Sequence, residues 1–134
     1  MNTADLAYQP KKKILVVEDD ANIRDLYTDL LTDEGYEVDS AVNGEEGYNK
    51  IINKIYDLTL LDLLLPKMTG IDLLMKLEEE YYDYKQKQKF VVLTNLDQDP
   101  IIGKAITLGA KGYLIKTSLT PDKFLEEIKY YLSQ

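Results

Sequence analysis

Short, continuous apolar segments are the most regular feature of the chain. Four of them, at 14–17, 58–61, 90–93 and 113–115, consist mainly of Val, Leu, Ile, Phe or Tyr. Segments this short and this apolar predict strands that are buried on both faces of a sheet. A fifth segment, 36–41, alternates apolar and polar residues, so it predicts a strand with one wetter face near the edge of the sheet.

Helical patterns follow each of these strands. Apolar residues recur there every three or four positions, which places them on one face of a helix. They are Ile23, Leu26, Tyr27, Leu30 and Leu31 in the first predicted helix, Tyr48, Ile51, Ile52 and Ile55 in the second, Ile71, Leu74, Leu77 and Tyr81 in the third, Ile102, Ala105 and Ile106 in the fourth, and Phe124, Leu125, Ile128 and Leu132 in the fifth. Gly35 and Gly109 are typical helix stops, and Thr120 before Pro121 is a typical helix start.

The alternation of strands and helices predicts an α/β fold. Five strand–helix units in succession build a doubly wound, five-stranded parallel sheet with helices on both faces. Right-handed crossovers leave few possible strand orders. We expect the order 2-1-3-4-5, because it is the known order of flavodoxin-like folds; the pattern of this chain alone does not select it. In that order the winding reverses between strands 1 and 3, and a crevice opens at their carboxyl ends.

Polar side chains stand where four of the predicted strands end. The acidic segment 18–20 follows the first strand, Asp62 follows the third, Thr94 the fourth and Lys116 the fifth. Ligands of such sheets bind at the carboxyl edge, so we expect these groups to converge there. Carboxylates, a hydroxyl and an ammonium suit a hard divalent cation and a phosphoryl group. The alternative for single members of the set is structural. Asp20 or Asn22 could serve only as a helix cap, and Lys116 could be an ordinary solvated lysine.

Composition narrows the classes of function. The chain has 134 residues, a net charge of −8, and neither cysteine nor histidine. The negative charge argues against direct binding of nucleic acid or of anionic membranes. The missing side chains exclude disulfides, thiolate metal sites and Ser-His-Asp catalysis. The first residues have no signal-peptide core, so a cytoplasmic location is the expectation.

Domain boundaries follow from the same patterns. We expect residues 1–11 to form a flexible N-terminal arm and residues 12–133 to form one domain. The charge-rich segment 78–89 predicts an extended end of the third helix followed by a surface loop.

Sequence motifs connect these residues to a known family. The chain resembles the receiver domain of bacterial two-component response regulators, of the single-domain, chemotaxis-regulator-like kind, over about residues 12–133. The resemblance rests on four motifs in order, namely ILVVEDD at 14–20, LLDLLLPKMTG at 60–70, VLT at 92–94 and LGAKGYLIK at 108–116.

The resemblance implies a phosphorylation switch that is not a turnover enzyme. Asp62 would be the phosphoacceptor, receiving its phosphoryl group from a sensor histidine kinase or a histidine phosphotransfer protein. The downstream protein target is not specified by the sequence. The implied metal is Mg²⁺ or Mn²⁺, held by Glu18, Asp19, Asp62 and the backbone carbonyl of Leu64. The implied phosphoryl contacts are Thr94, Asn95, Lys116 and Leu63.

The resemblance also implies a switch pair, Thr94 and Tyr113. Arrival of the phosphoryl group would draw Thr94 toward the site, and Tyr113 would turn inward behind it. The expected result is a changed partner-binding face made by the fourth predicted helix, the fifth strand and the fifth predicted helix, near Ile101, Lys104 and Phe124. The alternative is that Tyr113 is a core aromatic.

Three positions depart from the family pattern. Thr117 stands where proline is usual, so we predict a trans peptide after Lys116, because a non-proline cis bond costs about 2.5–4 kcal/mol. Asn95 stands where a small residue is usual, and Leu64 is apolar.

Leu64 also argues against an aspartyl-nucleophile phosphatase, which needs a carboxylic acid there. A flavin carrier would need a phosphate-binding loop where the acidic segment 18–20 lies. A degenerate receiver is disfavoured by the intact set of polar residues.

Overall fold

Five parallel strands form a single sheet. The structure, a computed structural model, describes residues 10–95 and 100–134, so nearly all of the predicted N-terminal arm lies outside the described residues. The strands are β1 (Lys13–Val17), β2 (Glu37–Ala41), β3 (Leu58–Asp62), β4 (Phe90–Thr94) and β5 (Gly112–Ile115). Their order is β2-β1-β3-β4-β5, and every neighbouring pair is parallel. The predicted flavodoxin-like arrangement is therefore confirmed, including the alternating strand at one edge.

Helices connect and flank the strands. They are α1 (Ala21–Asp33), α2 (Gly44–Asn53), α3 (Gly70–Glu80), α4 (Tyr82–Gln86), α5 (Pro100–Thr107) and α6 (Pro121–Leu132), with a short 3-10 turn at Lys116–Ser118. The Asp20 side chain caps α1 by accepting from the backbone N–H groups of Asn22 and Ile23. Gly35 follows this helix with φ 96°, a left-handed backbone conformation. Glycine adopts that conformation more readily than any other residue, so it ends the helix here. Within the described ranges, no helix combines the length and the apolar character needed to cross a membrane.

The charge-rich segment 78–89 differs from its prediction. Helix α3 ends at Glu80, and a separate short helix, α4, replaces most of the expected surface loop. The fourth and fifth predicted helices are therefore α5 and α6. Lys85 on α4 is only 4% exposed, and its ammonium donates to Glu78 at 2.9 Å. The prediction failed because charge alone does not show that a lysine stem is buried against the core while its ammonium is paired.

Two apolar layers cover the two faces of the sheet. On one face, Ile51 of α2, Leu74 of α3 and Ala105 of α5 pack against the strands. On the other face, Tyr27 of α1 stacks on Phe124 of α6 with ring centroids 4.5 Å apart. The layers hold the strand ends in fixed positions, which in turn fixes the groups at the carboxyl edge.

Some residues predicted for the buried helix faces are exposed. They are Leu26, Ile55, Tyr81 and Ile106. Ile55 and Tyr81 lie beyond the ends of α2 and α3, where the helical pattern no longer applies. Leu26 and Ile106 lie on the flanks of their helices, where a periodic pattern does not distinguish a buried position from a bordering one.

Gly44 provides a test of how tightly the loop after β3 is packed. A Cβ at Gly44 would overlap the backbone oxygen of Met68, which cannot move without shifting that loop. We expect Gly44→Ala to lower the free energy of unfolding by about 1–3 kcal/mol, measured by urea denaturation.

Gly103 in α5 is the matched control. Nothing lies within 4 Å of the position its Cβ would take. Gly103→Ala should therefore raise stability by about 0.5–1 kcal/mol, since alanine is the better helix former. Equal urea midpoints for Gly44→Ala and the wild type would show that the loop at Met68 can shift to admit the added Cβ at little cost.

Candidate functional site

The predicted polar residues meet in one cavity at the carboxyl edge of the sheet. Its volume is about 220 Å³. The predicted residues that line it are Glu18, Asp19, Asp20, Asp62, Leu64, Thr94, Asn95 and Lys116. They come from the ends of β1, β3, β4 and β5, so the parallel order alone brings together segments that are distant in the chain.

An ion cluster forms the floor of the cavity. The Lys116 ammonium lies 2.8 Å from Oδ2 of Asp62 and 2.5 Å from Oε1 of Glu18. Glu18 is fully buried, and Asp62 is 4% exposed. Lys116 is therefore not an ordinary solvated lysine, because its ammonium contacts two carboxyl groups in a buried setting.

Burial and mutual repulsion shape the electrostatics of this cluster. Burial, together with the neighbouring Asp62, raises the pKa of Glu18 to about 8, although Lys116 opposes the change. Burial lowers the pKa of Lys116, but hydrogen bonds to Asp62 and Glu18 outweigh it, so the net pKa lies above its ordinary value. One ammonium thus faces more negative charge than it can neutralise, and an added cation would relieve the remainder.

Three carboxylates are close enough to share a cation. One oxygen from each of Glu18, Asp19 and Asp62 lies within 4.8 Å of the others. Glu18 and Asp62 are buried, whereas Asp19 is exposed. Oxygen-only ligands at a partly open site match the preference of Mg²⁺, which keeps some of its waters. The donor set therefore fits the implied metal.

The backbone after β3 orients Asp62. Its Oδ1 accepts from the N–H of Leu64 at 3.1 Å. Close packing supports this turn, since a Cβ at Gly70 would lie 2.6 Å from the Asp62 backbone oxygen. The N–H of Leu63 donates to the carbonyl of Leu93 at 3.2 Å, so it already takes part in the sheet. The Leu64 side chain is 66% exposed and stands at the mouth of the cavity.

Arg24 supports the site but was not predicted from the sequence. Its guanidinium donates to the backbone carbonyl of Glu18 at 2.9 Å and to that of Asp19 at 3.3 Å. Arg24 therefore fixes the turn that carries two of the three clustered carboxylates. The only signal in the sequence was a basic residue in the first turn of a helix, where the helix dipole disfavours positive charge.

The remaining predicted residues lie around the cavity. Thr94 is buried at the end of β4, and Asn95 is exposed. Tyr113 lies on β5 with 41% of its surface exposed, so it is not the core aromatic of the alternative interpretation. The peptide after Lys116 is trans, as predicted, and begins a 3-10 turn. The turn still directs the lysine to Asp62, so proline at position 117 is not required for this contact.

Comparison with known proteins identifies the class. The sequence profile described as the response regulator receiver domain matches residues 14–129, and the chain belongs to that family. Members of this family act as signalling switches controlled by phosphorylation. The acidic pocket of Glu18, Asp19 and Asp62 fits Mg²⁺ and an aspartyl phosphate.

Particular relatives share most of the chain. The chemotaxis protein CheY of Treponema pallidum is 37% identical over 119 residues, which cover 87% of this chain and 79% of that protein. The transcriptional regulatory protein DltR of Streptococcus agalactiae is 34% identical over 117 residues, again 87% of this chain but 50% of DltR. This chain therefore spans about half the length of DltR.

Solved structures show the same fold. A CheY-like response regulator receiver domain protein from Methanospirillum hungatei has a TM-score of 0.81 and 34% identity, covering 92% of this chain and 95% of that one. The response regulator TrrA of Thermotoga maritima, solved in complex with Mg²⁺ and BeF, has a TM-score of 0.74 and 33% identity, covering 90% and 98%.

Proposed function

We propose that this chain is a signalling switch that is phosphorylated on Asp62 by a partner histidine kinase or a histidine phosphotransfer protein. The observation that carries the proposal is the position of Asp62. Its carboxylate is buried, contacts Lys116 and lies within reach of two further carboxylates. Few reactions other than the phosphorylation of an aspartate use a nucleophilic carboxylate, a cation site and an ammonium group at one point.

The proposed reaction is a phosphoryl transfer between two side chains. An oxygen of Asp62 attacks phosphorus, the phosphorus–nitrogen bond of the partner's phosphohistidine breaks, and the imidazole leaves with the bonding electron pair. Lys116 offsets the charge on the phosphoryl oxygens, a role that it can assume from its present contact with Asp62. Thr94 and Asn95 add contacts at the mouth, and Leu63 does so only if its N–H leaves the Leu93 carbonyl.

The metal has one role in the proposal. A bound Mg²⁺, or Mn²⁺ in its place, would neutralise charge on the phosphoryl oxygens as a Lewis acid. Glu18, Asp19, Asp62 and the backbone carbonyl of Leu64 would hold it. Glu18 binds best as a carboxylate, so the raised pKa near 8 implies that a proton leaves when the cation enters.

Metal dependence should be visible in a labelling experiment. With acetyl phosphate as donor, we expect one phosphoryl group per chain in Mg²⁺ and almost none after chelation, because the clustered carboxylates repel the incoming phosphoryl group. Intact-mass spectrometry at successive times measures this. Equal labelling with and without chelator would contradict the proposed metal role.

Partners and location are part of the proposal. The partner that supplies the phosphoryl group must carry the histidine, because this chain has none. The downstream target is a protein, and direct contact with nucleic acid or membrane is not expected for a chain with a net charge of −8. We expect the protein to act in the cytoplasm. We also expect self-modification and not turnover, since the exposed Leu64 offers no acid for a phosphatase reaction.

The proposed output face is built by α5, β5 and α6. Tyr113 of β5 and Lys104 of α5 are both exposed, whereas Ile101 of α5 is partly buried. Phe124 of α6 is itself buried and stacks on Tyr27 of α1, so its ring does not form part of the exposed surface. An inward movement of Thr94 would open space that Tyr113 could enter. A partner with differential affinity for the two arrangements would then respond to phosphorylation.

Beryllofluoride provides the test of this face. We expect its addition with Mg²⁺ to shift the backbone amide resonances of Ile101, Lys104 and Tyr113 as well as those of the acidic pocket. Tyr113→Ala should reduce the shifts in α5 while leaving those at Asp62 unchanged. Shifts confined to the acidic pocket in the wild type would exclude signalling through this face.

A further inference from the structure

A second cavity lies at the opposite end of the sheet from the acidic pocket. Lys89 directly precedes β4, Lys111 directly precedes β5, and Tyr130 lies in the last turn of α6. These residues line a cavity of about 460 Å³. Small-molecule sites commonly have volumes of about 300–1,000 Å³, so this cavity is large enough for a ligand. Phosphorylation of Asp62 does not use it.

The cavity is cationic although the chain is strongly acidic. Lys87, Lys89 and Lys111 line it, and none of the described lining residues carries a carboxylate side chain. Lys87 and Lys111 are exposed. Across the described part of the chain, neither ammonium lies within 4.0 Å of a carboxylate. The net charge of −8 makes this local reversal of sign a specific feature of the surface.

The third lysine has a structural role that favours the same ligand chemistry. The ammonium of Lys89 donates to the backbone carbonyls of Tyr131 and Leu132 at 3.2 and 3.1 Å, and to the backbone oxygen of Gln134 at 2.5 Å, near the carboxyl end of α6. The negative end of a helix dipole would otherwise repel an anion. Because Lys89 neutralises these carbonyls, the charges of Lys87 and Lys111 remain available to an incoming anion.

An aromatic surface borders the lysines. The ring of Tyr131 is fixed against β5, where its hydroxyl occupies the space that a Cβ at Gly112 would take. Tyr130 packs edge-to-face on Tyr131 with centroids 5.1 Å apart and remains 56% exposed. A supported, exposed ring of this kind offers one face for stacking by a planar group.

We propose that this cavity binds a nucleoside phosphate, with its phosphate groups on Lys87 and Lys111 and its base against the ring of Tyr130. Two cationic groups select the phosphates, and the aromatic ring distinguishes a nucleotide from a bare phosphate. An acidic peptide would satisfy the lysines but would leave the aromatic ring unused.

The test uses ADP on the full chain in buffer with chelator, so that no metal–nucleotide complex forms at the acidic pocket. We expect ADP to shift amide resonances in 86–89, 111 and 130–131. Lys87→Gln with Lys111→Gln should weaken binding by at least about tenfold, since two ion contacts are lost. The control is Lys123→Gln with Lys129→Gln, which changes the net charge by the same amount at two α6 residues outside the cavity. This double variant should bind ADP as the wild type does.

Tyr130→Leu tests recognition of the base separately from recognition of the phosphates. It should weaken ADP binding several-fold and leave the weaker binding of pyrophosphate unchanged. Unshifted spectra, shifts at the acidic pocket instead, or equal ADP affinity in the Lys87/Lys111 double variant would overturn the proposal. Equal affinity for ADP and pyrophosphate, with no effect of Tyr130→Leu, would likewise overturn it by showing an anion site that does not recognise the nucleoside. Unchanged amide shifts around Asp62 show that each variant is folded.

Discussion

Asp62→Asn should reduce phosphorylation by acetyl phosphate by at least about a thousandfold, the scale of effect expected when a nucleophile is removed. The amide has nearly the same shape as the carboxylate, so the turn after β3 should persist. Its oxygen can still accept from the Leu64 N–H, as Oδ1 of Asp62 does at 3.1 Å. The neutral amide, however, cannot form an acyl phosphate. Initial labelling rates at saturating Mg²⁺ measure the effect.

Asp20→Asn is the matched control. Asp20 lines the same cavity but is exposed, and it caps α1 through an oxygen that asparagine also possesses. This variant should be labelled at close to the wild-type rate. Labelling of Asp62→Asn at the wild-type rate would mean that the phosphoryl group is attached elsewhere.

Lys116→Met should slow phosphorylation by about 10²–10³-fold, which is the usual effect of removing one donor that stabilises transition-state charge. Methionine keeps most of the length of the side chain, one heavy atom fewer, but removes the charge 2.8 Å from Asp62. Lys116 also holds the pKa of Glu18 down, so its loss raises that pKa further and leaves more of Glu18 protonated near neutral pH. Both changes act in the same direction, because a protonated Glu18 is a poorer ligand for Mg²⁺.

A second lysine controls for charge alone. Lys123 lies on α6, away from the acidic pocket, and Lys123→Met removes the same charge. Its labelling rate should match the wild type. The Lys116→Met rate should rise with pH as Glu18 ionises, and it should stay well below that of the wild type throughout. A Lys116→Met protein that is labelled at the wild-type rate, and folded by its amide spectrum, would remove Lys116 from the proposed chemistry.

Strand positions could be predicted because their signal is local. The solid apolar segments at 14–17 and 90–93 can be satisfied only where both faces of a strand are covered, and β1 and β4 lie inside the sheet. Since side chains at the ends of parallel strands share one edge, the meeting of Asp62 and Lys116 followed from the same pattern. The strand order itself required knowledge of related folds.

Features that depend on contacts between distant segments could not be predicted. The burial of Lys85 depends on its pairing with Glu78 across the break between α3 and α4. Arg24 supports the acidic turn through backbone carbonyls, which carry no side-chain signal. The cationic cavity is assembled from three separate segments, and its lysines look in the sequence like ordinary surface residues.

Chemical location of the phosphoryl group is the most direct test of phosphorylation at Asp62. After labelling with acetyl phosphate and Mg²⁺, borohydride reduction converts an aspartyl phosphate to homoserine, and peptide mass spectrometry identifies the position. We expect homoserine at position 62 in the Mg²⁺ sample and unmodified Asp62 after chelation. Homoserine at Asp19 or Asp20 instead, or an unreduced Asp62 in a fully labelled sample, would contradict the proposed switch.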